Sequence, residues 1–235
     1  MKLLAFDTST ELISIAVTRP VAGVAQVWQH TGAGGAQASS GLIPAIEQLM
    51  AQAELRFEEL DAIAFGQGPG SFTGLRTACS VAQGLGFGAG RPVLPVDTLL
   101  TVAEEARQHY AADLGHCRVL ALLDARMDEM YAAHYEFNGG AWTQSEDCRL
   151  VRPEDLALHG STVLAGNVFR AYGERLAVPP SVPRWPAVPT ALAMLRLAPA
   201  LLAAGHAVDA AHALPRYIRD KVAKTTLERS AEKIT

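Results

Sequence analysis

Apolar residues in this chain fall into short runs that stop at polar turns, and two stretches share one design. Residues 2–6 form an apolar run ending at Asp7. The turn Asp7-Thr8-Ser9-Thr10 follows, and residues 12–17 resume with β-branched side chains. That pattern predicts strand, turn, strand. Much later, residues 118–123 are apolar and end at Asp124, residues 125–129 form a polar turn, and residues 130–137 alternate. The recurrence suggests two similar lobes.

Between and after these hairpins the pattern predicts further elements. A third strand is expected over 21–28 and a glycine-rich loop over 32–35. A helix capped by Ser39 or Ser40 should carry Leu42, Ile43, Ile46, Leu49 and Met50 on one face, with Pro44 in its first turn. Strands are expected over 61–65 and 92–96, and helices over 73–86 and 99–110. Residues 153–158 read as a short helix and 162–164 as a short strand. Residues 179–189 hold five prolines and read as an extended linker or surface loop. The apolar stretch 191–204 contains Arg196 and is short for a membrane span, so it reads as a helix to bury. The tail is strand-like from Leu214 to Arg219 and polar beyond.

Composition narrows the class. A chain of 235 residues with 49% hydrophobic side chains can build a large core, as one domain or two lobes. A formal net charge of -4 with mixed signs disfavours a broad cationic surface for autonomous nucleic-acid binding. Cys79, Cys117 and Cys148 are scattered, which fits free thiols in a reducing compartment rather than a disulfide or zinc framework. The first residues lack a signal-peptide pattern, so the sequence reads as cytoplasmic, with no membrane partner.

Three segments carry candidate chemistry. Asp7-Thr8-Ser9-Thr10 suits phosphate oxygens or a cation shell, and equally an Asx turn. Gly66-Gln67-Gly68-Pro69-Gly70-Ser71-Phe72-Thr73-Gly74-Leu75-Arg76 places four glycines between a strand and a helix, for close backbone approach or an anion at the helix start. It is neither a Walker A loop nor a GxGxxG fingerprint. Gly74, Ala78, Ala82 and Gly86 then recur every four residues, a stripe that allows close approach of a sheet or of another molecule. Asp124-Ala125-Arg126-Met127-Asp128-Glu129 gathers three acids, for metal binding or as a solvated turn. The seven histidines, His159 among them, form no metal-ligand or triad spacing.

Several of these pieces carry a family resemblance. Ala5-Phe6-Asp7-Thr8-Ser9, Leu42-Ile43-Pro44, Gly68-Pro69-Gly70-Ser71-Phe72-Thr73-Gly74-Leu75-Arg76, Ala82-Gln83-Gly84-Leu85, Asp124-Ala125-Arg126 with Glu129-Met130-Tyr131, and Pro215-Arg216-Tyr217-Ile218-Arg219 occur in order along nearly the whole chain. Together they resemble the bacterial TsaB family, also called YeaZ. The resemblance implies an α/β actin-like ATPase (sugar-kinase/actin/Hsp70) fold of two similar lobes. The expected first lobe is 1–104, completed by a returning segment 206–235, and the second is 105–205.

It also implies a role in making N6-threonylcarbamoyladenosine beside the anticodon of tRNAs reading ANN codons. There the chain would be the non-catalytic partner of a metal-bearing paralogue, TsaD, with a small ATPase, TsaE, joining. Homodimers would form when it is alone, and tRNA would be met through the complex. Aligned on Leu42-Ile43-Pro44, the paralogue's HxxxH metal pair falls on Ala38 and Leu42, which cannot ligate a transition metal. Gly166-Asn167 stands where an acidic turn is frequent. No metal is therefore expected, and no tightly bound cofactor, with ATP or ADP reserved for the complex. Weak nucleotide or partner contacts are expected at Asp7, Thr8, Ser9, Gly68, Gly70 and Asp124. The partner surface is expected at Leu42, Ile46, Leu49, Gly74, Leu75, Ala78, Ala82, Leu85 and Gly86. Tyr217 and Arg219 are expected against the first lobe. The alternative is an autonomous nucleotide-binding small-molecule kinase or ATPase of the same fold; a metallopeptidase lacks its ligand pattern.

Overall fold

The unbroken apolar run near the start becomes a central strand, β1 (Leu3–Asp7), buried at all five residues. A strand covered on both faces needs no alternation. The computed structural model describes residues 1–158 and 162–219; His159 lies outside them. β1 turns back antiparallel into β2 (Leu12–Val21) and then β3 (Val24–Ala33). After α1 (Ala38–Gln52), β4 (Ala62–Gly68) pairs parallel to β1. After α2 (Phe72–Ala89), β5 (Val93–Asp97) pairs parallel to β4. The sheet order is β3-β2-β1-β4-β5.

The chain then builds the same pattern again. α3 (Thr98–Tyr110) leads to β6 (His116–Arg126), β7 (Glu129–Asn138), β8 (Ala141–Gln144) and β9 (Arg149–Val151). β10 (Val163–Gly166), α4 (Phe169–Tyr172), β11 (Arg184–Pro186) and α5 (Ala191–Ala203) follow. The second sheet runs β11-β10-β6-β7-β8, with β9 also on β7. Each sheet thus has a three-stranded meander and two parallel strands added beside its first strand.

Each sheet is completed by the helix that follows the other. α3 follows β5, yet Leu99, Val102, Ala103 and Ala106 pack with Val119, Ala121, Leu123 and Ala133 of the second sheet. α5 follows β11, yet Ala191, Met194, Leu197 and Ala198 pack on Leu3, Ala5, Ala64 and Leu94 of the first. The expected lobe limits shift accordingly. A boundary after residue 104 cuts α3 in mid-helix, and α5, assigned to 105–205, belongs with the first sheet.

The helical face of the first sheet corrects the expected partner surface. Leu42, Ile46 and Leu49 of α1 and Ala78 and Ala82 of α2 are buried against Leu4, Phe6, Ile15, Ile63 and Phe65. Leu75 is buried too, and Leu85 is half-buried against the same core. A Cβ at Gly74 would lie 1.8 Å from the Thr8 carbonyl oxygen, and one at Gly86 2.7 Å from Val93 Cγ1. The small-residue stripe therefore lets α2 settle onto its own sheet, and it is not a surface.

Smaller expectations also change. α1 begins at Ala38, with no side-chain cap from Ser39 or Ser40. The 153–158 helix is only a 3-10 turn, Pro153–Asp155. The proline-rich 179–189 segment contains β11, an edge strand paired parallel to β10, where prolines cost few ladder bonds.

The C-terminal segment returns along the first lobe as an extended strap rather than a strand. Val208 bridges Val93, Ala213 is buried, and the Arg216 amide donates to the Gln67 carbonyl at 2.8 Å. Arg216 pairs with Asp97 at 2.8 Å. Tyr217 packs against Phe72 with the rings tilted and their centroids 5.2 Å apart, and its hydroxyl accepts from Arg76 Nε at 3.0 Å. Tyr217 thus meets the first lobe as expected, whereas Arg219 crosses to the second and pairs with Glu129 at 2.6 Å. The expected returning segment is described only to residue 219. No helix among the described residues is long and apolar enough to cross a membrane.

One buried carboxylate joins three elements of the two lobes. Glu104, its side chain only 5% exposed, accepts from Arg107 Nε at 3.1 Å, Arg196 Nε at 2.9 Å and Trp142 Nε1 at 3.0 Å. Removing one member of such a network strands the others. Glu104→Ala is expected to lower unfolding free energy by about 3 kcal/mol, read as a reduced midpoint in urea; an unchanged midpoint would show the network to be dispensable.

Candidate functional site: the cleft between the lobes

The site begins with a close contact between two backbones. At the end of β1, Asp7 is buried, and its Oδ1 accepts from the Ser9 amide at 2.8 Å and the Ser9 hydroxyl at 2.6 Å. This is an Asx-type turn, which leads the chain sharply into β2. The glycine loop folds onto that turn. A Cβ at Gly66 would lie 1.9 Å from Asp7 Oδ2, and one at Gly70 2.6 Å from Ser9 Cβ. Thr8 Oγ1 donates to the Gly74 carbonyl at 2.7 Å, and the Ser71 amide to the Ser9 carbonyl at 2.7 Å. Gly66 and Gly70, with Gly74 at the start of α2, are required by this contact.

Outside the contact lies a cleft of about 360 Å³, lined by Ser9, Thr10, Glu11, Gly70, Ser71 and Phe72 from the first lobe. Asp124, Arg126, Met127 and Asn167 of the second lobe and Arg219 of the strap close it. Of the expected contact residues, Ser9, Gly70 and Asp124 therefore meet here. Asp7 and Thr8 are buried behind the wall. Gly68 faces the strap, where a Cβ would lie 2.6 Å from the Arg216 carbonyl oxygen.

Asp124 is held from several directions. Its amide donates to Asn167 Oδ1 at 2.9 Å, and its Oδ1 accepts from the Arg126 amide and the Tyr172 hydroxyl, both at 2.8 Å. Burial and the bond to Asp124 push the Tyr172 phenol up to about 12. Asn167 thus serves as a fixed acceptor for the Asp124 backbone. Across the cleft, Arg126 pairs with Glu11 of the first lobe. Glu11 and Tyr172 carried no motif signal in the sequence, because each acts through a partner more than forty positions away.

A cleft of this size is within the range of small-ligand sites, roughly 300–1,000 Å³. Among the described residues, no three His, Cys, Asp or Glu side chains gather as a metal-ligand set. The chemistry on offer is hydroxyls, backbone groups, the Glu11 and Asp124 carboxylates and the Arg126 and Arg219 guanidiniums.

Asp7 has the most perturbed acid in this region. Burial pushes its carboxyl up from 3.8 to about 6, against the two bonds from Ser9 that pull it down. Its Oδ2 has no hydrogen-bond partner among the described residues. Because the folded value lies above the unfolded one, the folded state binds the proton more tightly. Stability is greatest below about pH 4, falls as pH rises through about 6, and levels off above. Asp7→Asn is expected to flatten that slope and to raise stability at pH 7 by up to roughly 3 kcal/mol. Melting curves of both proteins between about pH 4 and 8 check this; parallel curves would contradict it.

Comparison with known proteins agrees with this architecture. Residues 35–230 match the family model described as TsaD, tRNA N6-adenosine threonylcarbamoyltransferase. The tRNA threonylcarbamoyladenosine biosynthesis protein TsaB of Escherichia coli is 33% identical over 231 residues, covering 95% of this chain and 96% of that one. The TsaB of Haemophilus influenzae is 31% identical, covering 94% and 95%. The structure of YeaZ from Pseudomonas aeruginosa superposes with a TM-score of 0.80 at 36% identity, covering 92% of this chain and 99% of that one. On this near full-length likeness, carried on the two-lobed actin-like ATPase fold, the chain belongs to the TsaB family.

Proposed function

We propose that this chain takes part in forming N6-threonylcarbamoyladenosine in tRNA, as the non-catalytic partner of a TsaD-type transferase. The names of its relatives support the pathway. The partner role rests mainly on positions 38 and 42. The resemblance aligns the transferase's metal pair there, and here Ala38 and Leu42 are sealed in the first lobe's core. A family model named for the transferase thus matches a chain without the transferase's metal ligands. In this reading the modified adenosine lies beside the anticodon of ANN-reading tRNAs, and a TsaE-type ATPase completes the assembly. ATP or ADP and tRNA are engaged by the complex.

With the inner stripe buried, the partner surface moves to the outer side of the same helices. Phe87 is 84% exposed and Ile43 45% exposed. Cβ atoms at Gly84 and Gly88 would meet nothing within 4 Å, so a second helix can approach α2 closely there. The same side would serve the homodimer, which then competes with the transferase. A second reading, an autonomous nucleotide-using enzyme, draws support from the unpartnered Asp7 Oδ2 beside the cleft.

Reconstitution separates the two readings. Transferase, ATPase, threonylcarbamoyl-adenylate and ANN-reading tRNA should give modified tRNA only when this chain is added. Equal product without it would refute the partner role, and ATP turnover by the pure chain would favour the second reading. For the surface, Gly84→Arg and Phe87→Glu should leave circular dichroism unchanged while weakening pairing at least about tenfold by light scattering. Ala82→Glu, which forces a charge into the core, should fail to fold. A folded, normally pairing Phe87→Glu protein would place the interface elsewhere.

A further inference from the structure

We propose that the Glu11–Arg126 pair is an ionic latch that holds the two lobes closed across the cleft and is released by salt. The inference rests on the geometry of the cleft, and not on the function proposed above. Glu11 sits in the first lobe's turn, Arg126 at the end of β6 in the second, and their side chains pair across the gap. The pair lines two neighbouring cavities. On one side is the 360 Å³ chamber; on the other is a second cavity lined by Leu12, Arg170, Ala171 and Val188. Thr10, Glu11, Asp124, Arg126 and Asn167 line both. With the latch open the two chambers become one.

The second-lobe half of the latch is held in a costly shape. Arg126, Met127 and Asp128 have φ values of 62°, 57° and 58°, a run in the left-handed region without a glycine. Two-residue hairpin turns of this kind favour Asn-Gly, and here Met127-Asp128 occupies the turn. The surroundings keep the tip in place. Asp124 accepts from the Arg126 amide at 2.8 Å and pairs with its guanidinium at 3.2 Å. Arg219 of the strap donates to the Arg126 carbonyl at 3.2 Å and to Met127 Sδ at 3.0 Å. Arg126 is thereby aimed across the cleft while its own lobe stays fixed. The first-lobe half depends on Glu11 alone.

Both side chains are largely exposed, Arg126 by 69% and Glu11 by 66%, so the latch is weak and screened by salt. The full chain is compared with Glu11→Gln, Arg126→Gln and the double variant by hydrogen exchange, followed in peptides spanning residues 8–13 and 123–129. At roughly 20 mM salt each single variant should speed exchange there about two- to fivefold, with the peptides of β1 and β4 unchanged. The double variant should be no faster than Arg126→Gln, which also loses the Asp124 pair, since removing Glu11 adds nothing once Arg126 has lost its charge. At about 1 M salt wild type should match the variants. Equal exchange in wild type and Glu11→Gln at low salt, or additive effects in the double variant, would overturn the latch.

Discussion

The architecture depends on one steric constraint, the contact of the Asp7–Thr10 turn with the loop between β4 and α2. Gly66 near the end of β4, Gly70 in the loop and Gly74 in the first turn of α2 meet atoms of the turn at distances too short for a side chain. Because the backbones touch, Thr8 can bond the first turn of α2, and α2 is seated at a fixed depth on the sheet. That depth calls for small residues at Ala78, Ala82 and Gly86 further along. It also places Gln67 and Phe72 where the strap can reach them. The floor of the cleft is the outside of this contact.

A second level of organisation ties the lobes together. Asp97 ends the first sheet and begins α3, where it caps the Leu100 amide at 3.0 Å, accepts from Tyr135 of the second sheet at 2.9 Å, and pairs with Arg216 of the strap. Burial raises the Asp97 carboxyl, opposed by those same bonds and by the Arg216 charge. Glu104 repeats the arrangement two turns along α3, with Arg107, Arg196 and Trp142. Acids along α3 thus meet Arg196 and Arg216 from segments distant in sequence, beside the local Arg107.

The hairpins were legible because their signal is local: an apolar run, an acid, a polar turn and a second run. The duplication followed from reading that signal twice. The direction of the α2 stripe was not legible, since small residues at a spacing of four report only that something comes close. Here the neighbour is the chain's own sheet, and Thr8, more than sixty positions away, is the atom donor that decides it. The strand inside the proline-rich segment was hidden because edge strands tolerate proline. In the cleft, Asp124 and Arg126 stood out as part of a charged turn, but Glu11 gained meaning only when the lobes were placed face to face.

The exchange of α3 and α5 between the sheets has a consequence for how the chain acquires its structure during synthesis. The first sheet is translated by residue 97, but the helix that covers its second face ends at Ala203, and the strap anchoring α2 continues to Arg219. A ribosome adding residues at roughly 5–20 per second leaves that apolar face uncovered for several seconds. The second lobe, whose α3 is made before its strands, can close its core first. The nascent protein is therefore expected to acquire order from its middle outward, with its oldest residues among the last to be shielded from water.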